Sequence, residues 1–216
     1  MNDCLDVERV FVMDYLHLYN PENDTVCLKM FNVLDIYLED KSAPVILSAA
    51  RLFYAIIAKM KGNSTVILKD FILRISPQIT RFMKGHTNHE FQCSVMTFIT
   101  ELSDEGFIEL VPIKDNFYFK PKDYIDCKRL KCQILFKFCE LSIKNPDYGM
   151  LCNNDIVDYL LLKLSYQSSV SMELVSYICQ ISLLYKDARD SRPLERYSVL
   201  SSSCCLFWCI RDHKSI

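Results

Sequence analysis

Three features predict an all-α chain: glycine is scarce, apolar residues return at helical spacing, and helix starts recur at the period of a stacked helical repeat. Only four glycines occur in 216 residues, Gly62, Gly85, Gly106 and Gly149. Tight hairpins, bulges and phosphate-cradling turns draw on glycine's access to positive φ. An all-β fold, a dinucleotide-binding fold and a P-loop are therefore disfavoured. Alternate helices begin near residues 44, 88, 123 and 170, intervals of about 44, 35 and 47 residues that bracket the HEAT/armadillo period better than the tetratricopeptide or ankyrin one. The expected architecture is thus an all-α HEAT/armadillo-type α-solenoid of antiparallel helix pairs over residues 1–188, followed by an atypical tail over 189–216. A globular all-α bundle is the alternative.

The elements follow in order. A first helix is expected over about 6–18, with Val7, Val10, Phe11 and Leu18 on or near one face. Pro21 stops it, because proline disfavours helical geometry at the residue before it. Asp24 can cap a second helix over about 25–39, which carries Val26, Met30, Phe31, Leu34 and Leu38 inward. Ser42 and Pro44 open a third, to about Met60, with Pro44 at the first helical position, where the missing N–H wastes no bond. Its apolar face is Val45, Ala49, Leu52, Phe53, Ile56, Ile57 and Met60, and its small residues Ser48, Ala49, Ala50, Ala55 and Ala58 allow close helix approach.

Lys61-Gly62-Asn63-Ser64 stops that helix and leads into a fourth, over about 65–84, which Pro77 should kink or split. Thr87 or Asn88 caps a fifth, to about Glu101, with Phe91, Val95, Phe98, Ile99 and Leu102 apolar. Residues 106–122 are the least regular stretch: 107–113 suit one short helix, and Phe117-Tyr118-Phe119 suit extended chain or a new helix start. Helical pattern returns over about 123–143 through Ile125, Leu130, Ile134, Leu135, Phe138 and Leu141. Asn145 to Gly149 forms a turn, and two further helices are expected over about 153–165 and 170–186. Beyond Asp187 the chain is first polar, then rich in serine and cysteine, which is poor helix material.

Half the residues are apolar, 24% are charged, and the net charge is −2. That is a globular balance without the basic character that favours nucleic acid. Seven cations, Lys114, Lys120, Lys122, Lys128, Arg129, Lys131 and Lys137, do cluster over 114–137 among Phe117, Tyr118, Phe119 and Tyr124. Cations interleaved with rings suit RNA or lipid, but Asp115, Asp123 and Asp126 interrupt them, and a solvated helix face after an aromatic anchor is favoured. Eleven scattered cysteines, with no basic and apolar leader at the N-terminus, point to buried free thiols in a cytosolic or cytosol-facing chain. The triplets at Asn23 and Asn63 are then chance matches to a glycosylation acceptor. No stretch approaches the apolar length of a membrane span.

Candidate chemistry is thin. His86, His89 and Cys93 have zinc-ligating side chains, but a structural site needs four ligands and no fourth has a recognisable spacing. Cys204, Cys205 and Cys209 flank Leu206, Phe207 and Trp208, as acylated cysteines often do, although the pattern is non-specific. Glu39 and Asp40 read as solvated neighbours rather than an acid–base couple. There is no nucleophile elbow and no cysteine with a placed base. No catalytic, cofactor-binding or metal-binding residue is assigned, and the chain reads as a non-catalytic scaffold.

Three segments are more specific than composition. Asp14-Tyr-Leu-His-Leu-Tyr-Asn-Pro-Glu-Asn-Asp24 resembles a helix end and loop in the trunk of the β-adaptins, the β-type large subunits of adaptor-protein complexes. Ser42-Ala-Pro-Val-Ile-Leu-Ser-Ala-Ala-Arg-Leu-Phe53 resembles that family's S-x-x-V-V-L-S-A-x-K-x-L helix. Phe117-Tyr-Phe-Lys-Pro-Lys-Asp-Tyr-Ile-Asp-Cys-Lys-Arg-Leu-Lys131 is similar to an aromatic-rich loop leading into Y-I-K-x-x-K; Tyr124-Ile125 match the Y-I pair, Arg129 stands at the second lysine, and Asp126 departs from the first. The three occur in the family's order and separation, and the resemblance covers about residues 6–188, the middle of a longer trunk. Phe31-Asn-Val-Leu-Asp35 and Phe53-Tyr-Ala-Ile-Ile-Ala-Lys-Met60 look closest to the β subunit of adaptor complex 4.

The resemblance implies a right-handed superhelix and a scaffold role in a vesicle-coat adaptor complex that sorts cargo in intracellular protein transport. The implied partners are the medium, small and second large subunits. The implied location is cytoplasmic, peripheral on Golgi or endosomal membranes through the complex, with no nucleic acid and no cofactor. The competing expectation is an unrelated helical-repeat scaffold that binds RNA or a transport partner through 114–137. A solenoid buries its core between successive repeats. No polar capping helix precedes Val7, Val10 and Phe11, and beyond Tyr185 only the tail, through Leu206, Phe207 and Trp208, could cover Ile178, Ile181 and Leu184. The isolated chain is therefore expected to be marginally stable or self-associating, and to gain stability from adaptor partners.

Overall fold

The computed structural model describes residues 5–144 apart from 61, 63, 86 and 87, together with 156, 159, 160, 176, 177, 179 and 180. Among the described residues every element is helical and none is a strand. The chain divides into two compact units, 1–117 and 118–216.

The first unit is built on one apolar helix. Helix α3, Ala43–Lys59, buries Val45, Ile46, Leu47, Ser48, Ala49 and Ala50 in succession, then Leu52, Phe53, Ile56 and Ile57. A helix apolar on nearly all sides must be covered on nearly all sides. Helix α1 (Asp6–Leu16) and helix α2 (Asp24–Leu38) both pack on α3, as do α4 (Ser64–Lys84) and α5 (His89–Thr100). Helix α4 in turn carries α5, the short α6 (Asp104–Ile108) and a 3-10 helix, Val111–Phe117. All of these pairs lie within three elements of one another along the chain. Phe31, Phe53 and Phe71 thread α2, α3 and α4 on one column of near-parallel rings, with centroids 4.2 and 4.7 Å apart. Such pairs contribute about 0.5–1.5 kcal/mol each beyond their burial.

Local chemistry sets the boundaries. The cap of α2 is Asn23 rather than Asp24: its side chain accepts the Val26 N–H at 3.0 Å, which leaves Asp24 in the first turn, where a negative charge meets the helix dipole favourably. Pro44 occupies the second helical position of α3, behind Ala43, and Ser42 donates its N–H to Asp40 Oδ1 at 2.8 Å instead of capping with its hydroxyl. Asn88 caps α5 by accepting the Glu90 N–H. Pro77 does not split α4. Pro77 and Leu73 both lie exposed, so the Leu73 carbonyl left without a helical donor can be hydrated. The stretch expected as one short helix over 107–113 is instead α6 followed by the 3-10 turn. Gly106 permits this break to lie against α4: a Cβ there would stand 3.3 Å from Leu68 side-chain carbons.

Helix α1 departs from its expected face. Met13 is its buried residue, whereas Val7, Phe11 and Leu18 point outward. This helix is apolar around most of its circumference, so periodicity alone does not say which stripe meets α3.

In the second unit, α7 (Ile125–Lys144) buries Cys127, Cys132, Ile134, Leu135, Phe138, Cys139 and Leu141. Ile125, the first of the apolar residues in that pattern, is 41% exposed. Six of the eleven cysteines are described: Cys27, Cys127, Cys132 and Cys139 are buried, Cys93 is half-buried and Cys179 is exposed. The expected helices over 153–165 and 170–186 and the 189–216 tail lie wholly or mainly outside the described residues.

Candidate partner-binding surface

Helices α1 and α2 flank α3 without packing extensively on one another. The gap between them is a groove of about 400 Å3, with walls formed by Leu16 and Tyr19 on one side and by Val26, Met30 and Val33 on the other. Leu34 and Leu52 form its floor, and Lys29 is the charged residue on its rim. Val26, Met30 and Val33 recur at i, i+4 and i+7, so the wall is about two helical turns long, roughly 10 Å. A concave apolar surface of that length suits a short run of side chains from another helix.

Beside the groove, α1 presents a second apolar surface. Val7, Phe11 and Tyr15 follow one another at i, i+4 and i+8, and Leu18 continues the line; all four are 68–78% exposed. Glu8 and Asp14, both exposed, flank that line on opposite sides. On α2, Leu28, Val33 and Ile36 also face outward. Scattered exposed apolar residues need no explanation, whereas a continuous line of four such as that on α1 is a candidate interaction surface.

Polar contacts fix the frame around the groove. Lys59 of α3 donates to the carbonyls of His17 and Tyr19, at 3.0 and 2.7 Å, and so closes the end of α1 with a cation. Arg9 bridges Asp6 at 2.6 Å and Asp40 at 2.8 Å, tying α1 to the turn before α3. Asp40 is therefore a half-buried structural partner, not the freely solvated group expected, while Glu39 beside it is exposed. His17 has its imidazole pKa lowered: burial acts first, Lys59 and Arg51 lower it further, and Asp14 and Glu101 oppose them. Burial pushes the Cys27 thiol up, so it is a poor nucleophile.

The second unit holds a polar cluster that sequence reasoning missed. Lys131, counted as a surface cation of the 114–137 stretch, is 1% exposed. Its ammonium meets Asp123 Oδ2 at 2.6 Å and the Tyr118 carbonyl at 3.2 Å. The same carboxylate oxygen accepts the Lys120 N–H, and Tyr159 Oη accepts the Phe119 N–H at 2.6 Å. Burial lowers the Lys131 pKa against the opposing pull of Asp123, and burial pushes the Tyr159 phenol up to about 12. Lys131 ties the 118–124 loop to α7, and Tyr159 holds the same loop from further along the chain. They consume the backbone groups of a loop that has no other ladder to join. The signal in the sequence was an acid and a lysine eight residues apart across a helix start, which is too common to single out.

The remaining candidates separate. Of the basic stretch, Lys120, Lys122 and Arg129 are exposed and Lys128 and Lys137 half-buried, while Lys114 belongs to the first unit. His89 and Cys93 lie one turn apart on α5, both half-buried, and His86 falls outside the described residues. Among the described residues no three His, Cys, Asp or Glu side chains converge as metal ligands, and no helix is long and apolar enough to cross a membrane. Asn63, Cys204, Cys205 and Cys209 lie outside the described residues. Comparison with protein-family models, with curated proteins and with solved structures finds no match to this chain.

Proposed function

We propose that this chain is a non-catalytic scaffold subunit of a vesicle-coat adaptor complex, a β-adaptin-like trunk segment acting in intracellular protein transport and cargo sorting. Its helices form a right-handed HEAT/armadillo-type solenoid. The observation that carries the solenoid reading is the packing of each helix on its near neighbours in sequence, with the Phe31–Phe53–Phe71 column running through three of them. Neighbour-to-neighbour stacking is how a repeat array distributes its core.

The adaptor reading rests on the three segments that resemble β-adaptin trunks. They occupy mechanically distinct places: the α1–α2 junction, the central helix α3, and the loop that Lys131 and Tyr159 hold. The partners are the medium, small and second large subunits, and the chain sits peripherally on Golgi or endosomal membranes through them. The groove and the exposed line on α1 give such a scaffold apolar surface to offer. The competing RNA-binding reading is weaker for the burial of Lys131, which removes one cation from that stretch.

Co-expression with the medium, small and second large subunits of adaptor complex 4 tests the proposal. Stoichiometric co-elution of the tagged chain with those subunits is the expected result. A chain that elutes without them, or that carries RNA instead, overturns it.

A further inference from the structure

We infer that the α1–α2 groove and the outer line of α1 are two halves of one self-complementary interface, and that the occupant of the groove is α1 of a second copy of this chain. The inference goes beyond the adaptor reading and does not depend on it. Both sides of the contact are present on one molecule. The groove is a concave apolar surface at the C-terminal end of α1 with one lysine, Lys29, on its rim. The outer face of α1 is a convex apolar line, Val7, Phe11 and Tyr15, with Glu8 beside its N-terminal half.

A two-fold axis makes these halves meet. In an isologous pair, residue i of one copy contacts residue j of the other, and j contacts i. Two α1 helices laid antiparallel bring the N-terminal half of each, with Val7 and Phe11, to the C-terminal end of the other, where Leu16 and Tyr19 open the groove. That arrangement places Glu8 against Lys29 twice. Among the described residues Lys29 has no carboxylate at ion-pair distance within its own chain, so the pair supplies one.

The amount of surface is adequate. Each copy offers on the order of several hundred Å2 of apolar area, the size at which soluble monomers begin to associate. Reciprocal packing of two such surfaces approaches the ~1,200 Å2 total at the lower limit of stable interfaces. A micromolar dimer is the expected consequence. The ion pair at the rim sets orientation more than affinity.

Sedimentation equilibrium on the full chain across roughly 1–100 μM, the range that reports a micromolar Kd, tests this. The expected result is a monomer–dimer equilibrium that stops at two. Phe11→Asp should weaken it at least about tenfold, with Val7→Lys as a second variant on the same line and thermal melting to establish that each folds. Lys29→Glu should weaken pairing and Glu8→Lys in the same chain should restore it, because the contact is reciprocal. A monomer at the highest concentration overturns the inference. So does association that grows without limit, association indifferent to both Phe11→Asp and Val7→Lys in folded protein, or failure of the charge reversal to rescue. Adaptor subunits are absent from this experiment, so its failure leaves the adaptor reading to its own test.

Discussion

Helices α1 and α3 are both rich in large apolar side chains, yet one is enclosed and the other is half uncovered. Phe53 of α3 is fully buried between Phe31 and Phe71, while Phe11 of α1 is 71% exposed. The same residue type therefore serves opposite ends: Phe53 joins helices within the chain, and Phe11 remains available to join chains. What decides is the number of neighbours. Helix α3 has α1, α2, α4 and α5 around it, whereas α1 has α3 as its principal partner.

That contrast sets the size of each expected effect. Phe53→Ala removes the middle ring of the column and leaves a cavity, which should cost about 3–5 kcal/mol in urea unfolding. A loss below about 1 kcal/mol would show that α3 is not the organising helix. In the second unit a buried ion pair holds the 118–124 loop, and Lys131→Met should cost about 3 kcal/mol because it strands the buried Asp123 carboxylate. Selective loss of protection in the 118–124 loop, read by hydrogen exchange, would locate that effect. Unchanged loop protection would mean the ion pair is not what pins the loop.

Smaller effects belong to the first unit's margins. Asn23→Ala deletes the α2 cap and should cost about 1 kcal/mol, seen as a lower urea midpoint with an unchanged slope. His17 gives a pH signature. Its folded pKa lies below its ordinary value of 6.5, so the folded state binds fewer protons than the unfolded one. Its contribution is fully present above pH 6.5 and declines as the pH falls through 6.5 toward the lower folded value. The protonated ring would face Lys59 and Arg51, with Asp14 and Glu101 as the opposing charges. The urea midpoint should fall less between pH 7.5 and 5.5 in His17→Gln than in the parent; equal falls would assign the change to other groups.

Much of the first unit could be read from the sequence. Val45, Ala49, Leu52, Phe53, Ile56 and Ile57 of α3 and Val95, Phe98, Ile99 and Leu102 in and just beyond α5 lie buried where their spacing placed them. The stripe on α1 could not be read, since Val7, Val10, Phe11, Met13 and Leu16 leave no polar side to mark the outside. The α2 cap was off by one residue because Asn23 and Asp24 are equally good capping types. The groove was illegible: it is a property of how far apart two helices sit on a third, and local spacing carries no record of that distance. The burial of Lys131 was hidden for the same reason, as composition assigns lysine to the surface.

The smallest expected effect bears most directly on the central contrast between the enclosed and the uncovered helix. Urea unfolding of Phe11→Ala should be followed beside Phe53→Ala, at a protein concentration low enough that sedimentation shows monomer alone. If the outer face of α1 is interaction surface and not core, Phe11→Ala stays within about 0.5 kcal/mol of the parent while Phe53→Ala loses several. Comparable losses from the two substitutions would mean that Phe11 is packed within its own chain, and that α1 has no free apolar face to offer.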